Sequence, residues 1–233
     1  NAFSPGANFD NENVWNFETG IKRELRDLRI QYEASAFHYV YDNRQAIRLD
    51  TSEDIPRYVV STSDLTAWGL DFNVRWHPTD RLSVDFSTEW IDSTYKDFVT
   101  PEGNDLSGEA TGEALWSFAG GLGYTVPLAV NGDLLFSLRH SYRGAGRCNS
   151  GSASQGNCGR YANFTIGEEQ NRTDLYLRWS SPSAAWSVAA YANNLFDNRY
   201  VTGLHTYGTT VVGATGAGIS EPRFYGMELQ YKF

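Results

Sequence analysis

The strongest constraint in this sequence is an alternation of period two that recurs in nine separate segments from end to end. Successive side chains of a strand point to opposite faces, so each segment builds one greasy face and one polar face. The last segment shows it most clearly. Tyr225, Met227, Leu229, Tyr231 and Phe233 interleave with Gly226, Glu228, Gln230 and Lys232. The same pattern reads through Trp15 to Lys22, Leu28 to Ser35, Trp68 to Trp76 and Leu82 to Trp90. It continues through Trp116 to Tyr124, Leu134 to Tyr142, Asp174 to Trp179 and Trp186 to Asn193. Apolar residues three and four apart do not persist beyond a turn, so no amphipathic helix is expected. The chain is predicted to be all-β and antiparallel.

The connections carry the next constraint. Four are short: Glu24–Asp27, His77–Arg81, Pro127–Gly132 and Ser180–Ala185. They alternate with four long ones, about Asp42–Leu65, Thr100–Gly112, Gly144–Tyr161 and Val201–Glu221. An up-and-down transmembrane β-barrel has this asymmetry, with short periplasmic turns and long extracellular loops. A Greek-key sandwich has no reason to place every long loop at one end. Counting strands back from Phe233 puts the C-terminus on the short-turn side, which is the periplasmic side of such a barrel.

Strand direction then sorts the aromatics. Trp15, Trp68, Trp90, Trp116 and Tyr142 fall near the outer rim; Trp76, Tyr124, Trp179, Trp186 and Tyr231 fall near the inner rim. Trp68 and Trp76 stand roughly 20 Å apart along the membrane normal at the usual rise and tilt, against an apolar band of about 25 Å. Two aromatic girdles are expected, where amphipathic rings meet the headgroups. A soluble core would concentrate Trp mid-strand instead. Mean hydropathy is negative, as it must be when only every second residue meets lipid. The polar face carries Glu18, Glu33, Asp71, Arg75, Asp85, Glu89, Arg139, Asp174 and Arg178, a mixed-charge lumen that needs only hydration and pairing.

The net charge of −9 argues against nucleic acid as a partner, because phosphates require a basic surface. Cys148 and Cys158 enclose a loop of Gly, Ser, Asn, Gln and Ala alone. A disulfide there fits an oxidising compartment; a zinc pair has no second ligand pair nearby. His38, His77, His140 and His205 are scattered without metal-ligand spacing, and no nucleophile elbow is present. No metal, cofactor or catalytic residue is therefore expected.

The last sixty residues resemble a known family. Trp186-Ser-Val-Ala-Ala-Tyr-Ala-Asn-Asn-Leu-Phe-Asp-Asn-Arg-Tyr200 and Glu221-Pro-Arg-Phe-Tyr-Gly-Met-Glu-Leu-Gln-Tyr-Lys-Phe233 are similar to the two C-terminal strand motifs of TonB-dependent outer-membrane receptors. Asn16-Phe-Glu-Thr-Gly-Ile-Lys22 and Thr66-Ala-Trp-Gly-Leu-Asp-Phe72 resemble earlier strands of the same family. The resemblance implies the C-terminal portion, over residues 1–233, of a barrel of about 22 strands in the bacterial outer membrane. The family's N-terminal plug and earlier strands are not among these segments. Its implied work is energy-coupled uptake of a scarce nutrient, most often a ferric siderophore, with lipid, plug and the TonB complex as partners. It also implies that the terminal Tyr231 and Phe233 are an assembly signal. By position, Arg143 and Arg147 beside the cysteine loop are candidates for an anionic ligand. His205 and Tyr207 in the last long loop are candidates for an apolar or aromatic one. Two other classes stay open: a passive pore or adhesin barrel, and a soluble secreted sandwich that binds sugar.

Overall fold

The computed structural model describes residues 10–50, 57–100, 103–151, 158–160, 165–205 and 216–233. The strands are β1 (Asn13–Leu25), β2 (Ile30–Asp50), β3 (Arg57–Thr79), β4 (Leu82–Asp97), β5 (Trp116–Pro127) and β6 (Asp133–Arg143). They continue with β7 (Gly159–Arg160), β8 (Thr165–Ile166), β9 (Gln170–Ser180), β10 (Trp186–Asn193), β11 (Val201–His205), β12 (Gly216–Ile219) and β13 (Phe224–Tyr231). Nine of them form one antiparallel sheet in the order β1-β2-β3-β4-β5-β6-β9-β10-β13. The pairs β7-β8 and β11-β12 are small ribbons inside two of the long connections. Every neighbour in the main sheet is also the next main-sheet strand in the chain, so the topology is up and down.

The register keeps the apolar residues on one face. Trp15 lies opposite Val40, and Phe17 opposite His38. His38 then faces Trp68, Ala34 faces Phe72, and Ile30 faces Trp76. The face continues through Leu70–Trp90, Trp90–Trp116, Phe118–Tyr142, Leu138–Leu175, Leu177–Ala190 and Ala190–Met227. A one-residue slip anywhere would turn this whole set over, which is why the pattern specifies the pairing. Trp68, Leu70, Phe72, Trp76, Met227 and Leu229 are all exposed on this face. Soluble monomers rarely expose a contiguous apolar surface of this extent; a lipid-facing wall requires one.

The short ends are tied by local turn chemistry. A single 3-10 turn at Arg26–Leu28 closes on Arg29, which adopts a left-handed φ of 53°. Arg29 then pairs with Asp80 of the next short turn at 2.5 Å. Thr79 Oγ1 accepts the amides of Arg81 and Leu82 and so caps that turn.

Beyond the two small ribbons, the long ends differ most from expectation after β2. The segment between Asp42 and Leu65, expected as a loop, is mostly strand: β2 and β3 stay paired out to Asp50 opposite Arg57. At about 3.4 Å per residue, the 21 and 23 residues of β2 and β3 exceed what a 25 Å band needs by roughly twofold. The hairpin therefore stands well beyond the membrane. The phase of the alternation shifts there, because β2 carries one residue more than β3 between Tyr41 and Arg44.

The long connection after β10 shows what the Asn-Leu-Phe-Asp-Asn-Arg-Tyr run does. Asn194 takes a left-handed φ of 52° and is 4% exposed. Its side chain donates to the carbonyls of Asn198 and Glu221 and accepts the amide of Asn198. Asp197 accepts the amide of Arg223 at 2.9 Å and Arg199 Nε at 3.0 Å. These bonds hold its carboxyl below the usual carboxylate range, the Arg223 amide being the larger cause. The motif thus pins the two limbs of a thirty-residue connection together at its base, where β13 must begin in register with β10.

Candidate functional site

On the polar face, at the long-loop end, the chain builds an aromatic hollow. Phe37, Tyr39 and Tyr41 project from β2 at successive polar-face positions, where most strands carry Ser, Asp or Glu. The Phe37 and Tyr39 rings lie almost parallel, 4° apart, with centroids 6.2 Å apart. Glycine makes room for them: a Cβ on Gly69 would sit 2.0 Å from Phe37 Cζ. The ring lies over the bare backbone of the next strand, in the space a side chain at position 69 would fill.

A bulge completes the lining. Between Tyr41 and Arg44, β2 carries one residue more than β3 opposite it. Asn43 adopts a φ of 57°, and its amide is held by Asp64 Oδ1 at 2.8 Å. The extra residue re-phases the strand, so that Arg44 follows Tyr41 onto the polar face. The result is a cavity of 630 Å³ lined by Val14, Asn16, Glu18, Phe37, Tyr39, Tyr41, Arg44, Leu65 and Glu113. Its volume falls in the range of small-molecule sites, and it combines flat apolar surface with a few charged groups that fix orientation. Beside it, Leu65, Tyr95, Phe98 and Leu106 form a buried cluster against which Tyr39 and Tyr41 pack.

The residues singled out from the sequence are placed as follows. Arg143 ends β6 on the polar face, exposed, opposite Ser117 and Gln170. Arg147 is turned into the protein. Its guanidinium pairs with Asp92 and donates to the carbonyls of Ser93 at 2.9 Å and Glu113 at 3.3 Å. Cys148 and Cys158 are joined in a disulfide, with Cα atoms 5.8 Å apart. His205 closes the β11-β12 ribbon opposite Gly216. Tyr207 lies outside the described residues.

Trp15, Trp68, Trp90 and Trp116 stand on the apolar face toward the long loops; Trp76, Trp179 and Trp186 stand on it toward the short turns. Trp179 donates its indole N–H to the Asn131 carbonyl at 2.8 Å, so the ring's polar edge sits on a short turn. Tyr231 packs on Trp186 with centroids 4.5 Å apart, and Phe233 meets Tyr231 edge-on at 4.9 Å. Among the described residues no group of three or more His, Cys, Asp or Glu is arranged to hold a metal.

The aromatic cavity was not marked by the sequence reading. The signal was the failure of alternation in Ala36-Phe-His-Tyr-Val-Tyr41, where both faces of the strand turn apolar. A lipid-facing strand needs only one greasy face, so a second one marks a surface with its own occupant.

The comparisons with known proteins agree with this architecture. A family described as TonB dependent receptor-like, beta-barrel, matches residues 1–195. The ferric yersiniabactin uptake receptor FyuA from Yersinia pestis superposes with a TM-score of 0.68 at 17% identity, over 95% of this chain and 30% of that one. The ferripyoverdine receptor of the outer membrane of Pseudomonas aeruginosa gives 0.65 at 17% identity, over 97% and 28%. The copper transporter OprC gives 0.64 at 13% identity, over 99% and 34%. The chain spans about a third or less of the solved structures that it matches. With its lipid-type outer face, its up-and-down sheet and the matched barrel region, the chain belongs to the TonB-dependent receptor β-barrel family of the bacterial outer membrane.

Proposed function

We propose that this chain is a nine-stranded C-terminal sector of a larger receptor barrel that takes up a scarce nutrient, a ferric siderophore, across the outer membrane. The observation that carries this reading is the aromatic cavity on the lumen side of β1, β2 and β3, beneath the long loops. Phe37, Tyr39 and Tyr41 would bind the organic part of the chelate, while Glu18, Arg44 and Glu113 would orient it. Arg143, exposed on the same face, would meet an anionic group. The plug and the remaining strands would close the site, and the TonB complex would supply the energy for release.

A bare copper ion is a poorer match for this sector. Soft and imidazole donors select copper, yet the chain has four His and one Met, and both cysteines are in the disulfide. Met227 lies on the lipid side, opposite Ala190.

Growth of cells carrying the whole receptor, with iron supplied as a panel of ferric siderophores, tests the reading. The unmodified receptor should support growth on at least one chelate, and the double change Phe37→Ala and Tyr39→Ala should cut uptake of that chelate roughly tenfold or more. Equal uptake at equal outer-membrane levels would remove the cavity from the transport path. Deleting Phe233 should lower the assembled level of the receptor, read by membrane fractionation; an unchanged level would remove its role as an assembly signal.

A further inference from the structure

The two long loops after β4 and β6 are joined by a run of consecutive residues. Arg147 reaches the base of the β4–β5 loop through Asp92, the Ser93 carbonyl and the Glu113 carbonyl. Asn149, 5% exposed, donates to the Ala110 carbonyl at 2.8 Å. Ser150 places its amide on one oxygen of Glu109 and its hydroxyl on the other, both at 2.7 Å. Gly151 lies so close to Leu106 that a Cβ would meet its Cδ1 at 2.7 Å. An isolated bridge pairs Ala114 with Gly146, and the Gly146 amide reaches the Gly167 carbonyl at 2.8 Å. The Cys148–Cys158 disulfide sits in the middle of this run and ties the returning limb of the loop to it.

The partners are not scattered along the β4–β5 loop. They are the end of β4 at Asp92 and Ser93, and the returning limb at Glu109, Ala110 and Glu113, where Ala110 bridges to Thr94. A guanidinium has five donors in a fixed plane, so one Arg can engage a carboxylate and two carbonyls that belong to different limbs. The Arg147 side chain is 21% exposed and that of Asp92 44%, so the pair is partly shielded from water and salt. Beneath this junction lie Leu106 and Phe98, the most deeply buried large side chains among the described residues, and the wall of the aromatic cavity.

We infer that Arg147 is a positioning residue that clasps residues 146–151 to the β4–β5 loop, and so holds in place the returning limb whose Glu113 lines the lumen-side cavity. Arg147 is then not a ligand contact; it acts through the loop it holds. The importance of this clasp for transport rests on the uptake reading, but the clasp itself does not. The disulfide's part is to keep Arg147, Asn149 and Ser150 facing their partners; the charge pair with Asp92 fixes the position.

Hydrogen exchange on the purified whole receptor without ligand tests the clasp. The amides of Gly108 and Thr111, which bond to the carbonyls of Tyr95 and Ser93, are the reporters. Arg147→Gln should speed their exchange roughly tenfold to a hundredfold. Amides of β3 and β5 should be unchanged, which shows that the barrel is folded. Asp92→Asn, a gentler change on the other partner, should give the same direction. Reversing the pair, Arg147→Asp with Asp92→Arg, should restore part of the protection, whereas a merely space-filling role would show no rescue. Faster exchange confined to residues 144–151, with Gly108 and Thr111 unchanged in both single variants, would overturn the inference. Because no ligand is present, that outcome would leave the uptake reading standing, and a failure of uptake would leave the clasp standing.

Discussion

Leu70 and Phe72, on the outer face of β3, are 51% and 37% exposed, whereas Phe98 and Leu106, in the connection after β4, are 2% and 0% exposed. The same residue types meet opposite surroundings about thirty residues apart. In the wall, lipid takes the apolar face, so the sheet needs no packed core of its own, and its order comes from the hydrogen-bond ladder. In the loops above it the surroundings are water. There the chain gathers a small core around Leu65, Tyr95, Phe98 and Leu106 and adds a disulfide, as small extracellular domains do when their core is limited. The comparison teaches that one chain can follow two hydrophobic rules, with the boundary set by the height of the bilayer.

Substitutions at matched positions test that boundary. The largest effect is expected in the loop core: Leu106→Ala should cost about 2–5 kcal/mol of local stability, because its surroundings are fully packed. Limited proteolysis should then cut the β4–β5 loop while the barrel stays intact. If instead the whole barrel unfolded with the loop, the two regions would not be separable.

Nearly as large is a charge in the wall. Phe72→Arg, midway between Trp68 and Trp76 on the outer face, should cost about 2–4 kcal/mol in lipid-supported unfolding. Asn73→Arg, one residue on and on the polar face, should stay within about 0.5 kcal/mol. Similar costs at both positions would erase the distinction between the faces.

These two regions were not equally legible in the sequence. The wall was, because lipid on one side and a polar lumen on the other impose a strict period of two, as in Tyr225 to Phe233. The clasp was not. Phe98 and Leu106 are isolated apolar residues in a polar loop, and Arg147 meets Asp92 across 55 positions, so no local pattern announces either. By position Arg147 was a candidate anion contact; its pairing with Asp92 and two carbonyls is invisible locally, because a free loop arginine and a paired one look alike in sequence. The cavity lay between these cases. Its aromatics interrupt the alternation of β2, but the bulge that brings Arg44 beside them depends on the pairing with β3. Likewise the pairing of β2 and β3 past Tyr41 runs through the bulge, whose extra residue breaks the phase of the alternation, so no single run of period two announces it.

A smaller effect is expected at Gly69. Gly69→Ala should push Phe37 off its seat and cost about 1–3 kcal/mol by overpacking. Ligand affinity should fall while the lipid face is untouched. Unchanged affinity would show that the Phe37 ring can move without consequence.

The smallest effect is one of pH. The amide of Ser150, and then its hydroxyl, hold the Glu109 carboxyl below its ordinary value of 4.5. A depressed carboxyl contributes its stabilisation above the unfolded value and loses it as pH falls through the folded one. Protection of the Ser150 amide should therefore be flat above about pH 5 and decline only below 4.5. A decline that begins near neutrality would point to a different group.

The central claim is that the sheet is a membrane wall with its greasy face in lipid and its aromatic cavity in the lumen. The most direct test is a scan of single cysteines along β3 from Thr66 to Trp76 in the whole receptor, each carrying a fluorophore read against a lipid-soluble quencher. Cys148 and Cys158 are joined to each other and do not compete with the introduced thiols for label. The account predicts strong quenching at positions 68, 70, 72, 74 and 76 and weak quenching at 67, 69, 71, 73 and 75. Uniform quenching, or none, would contradict it.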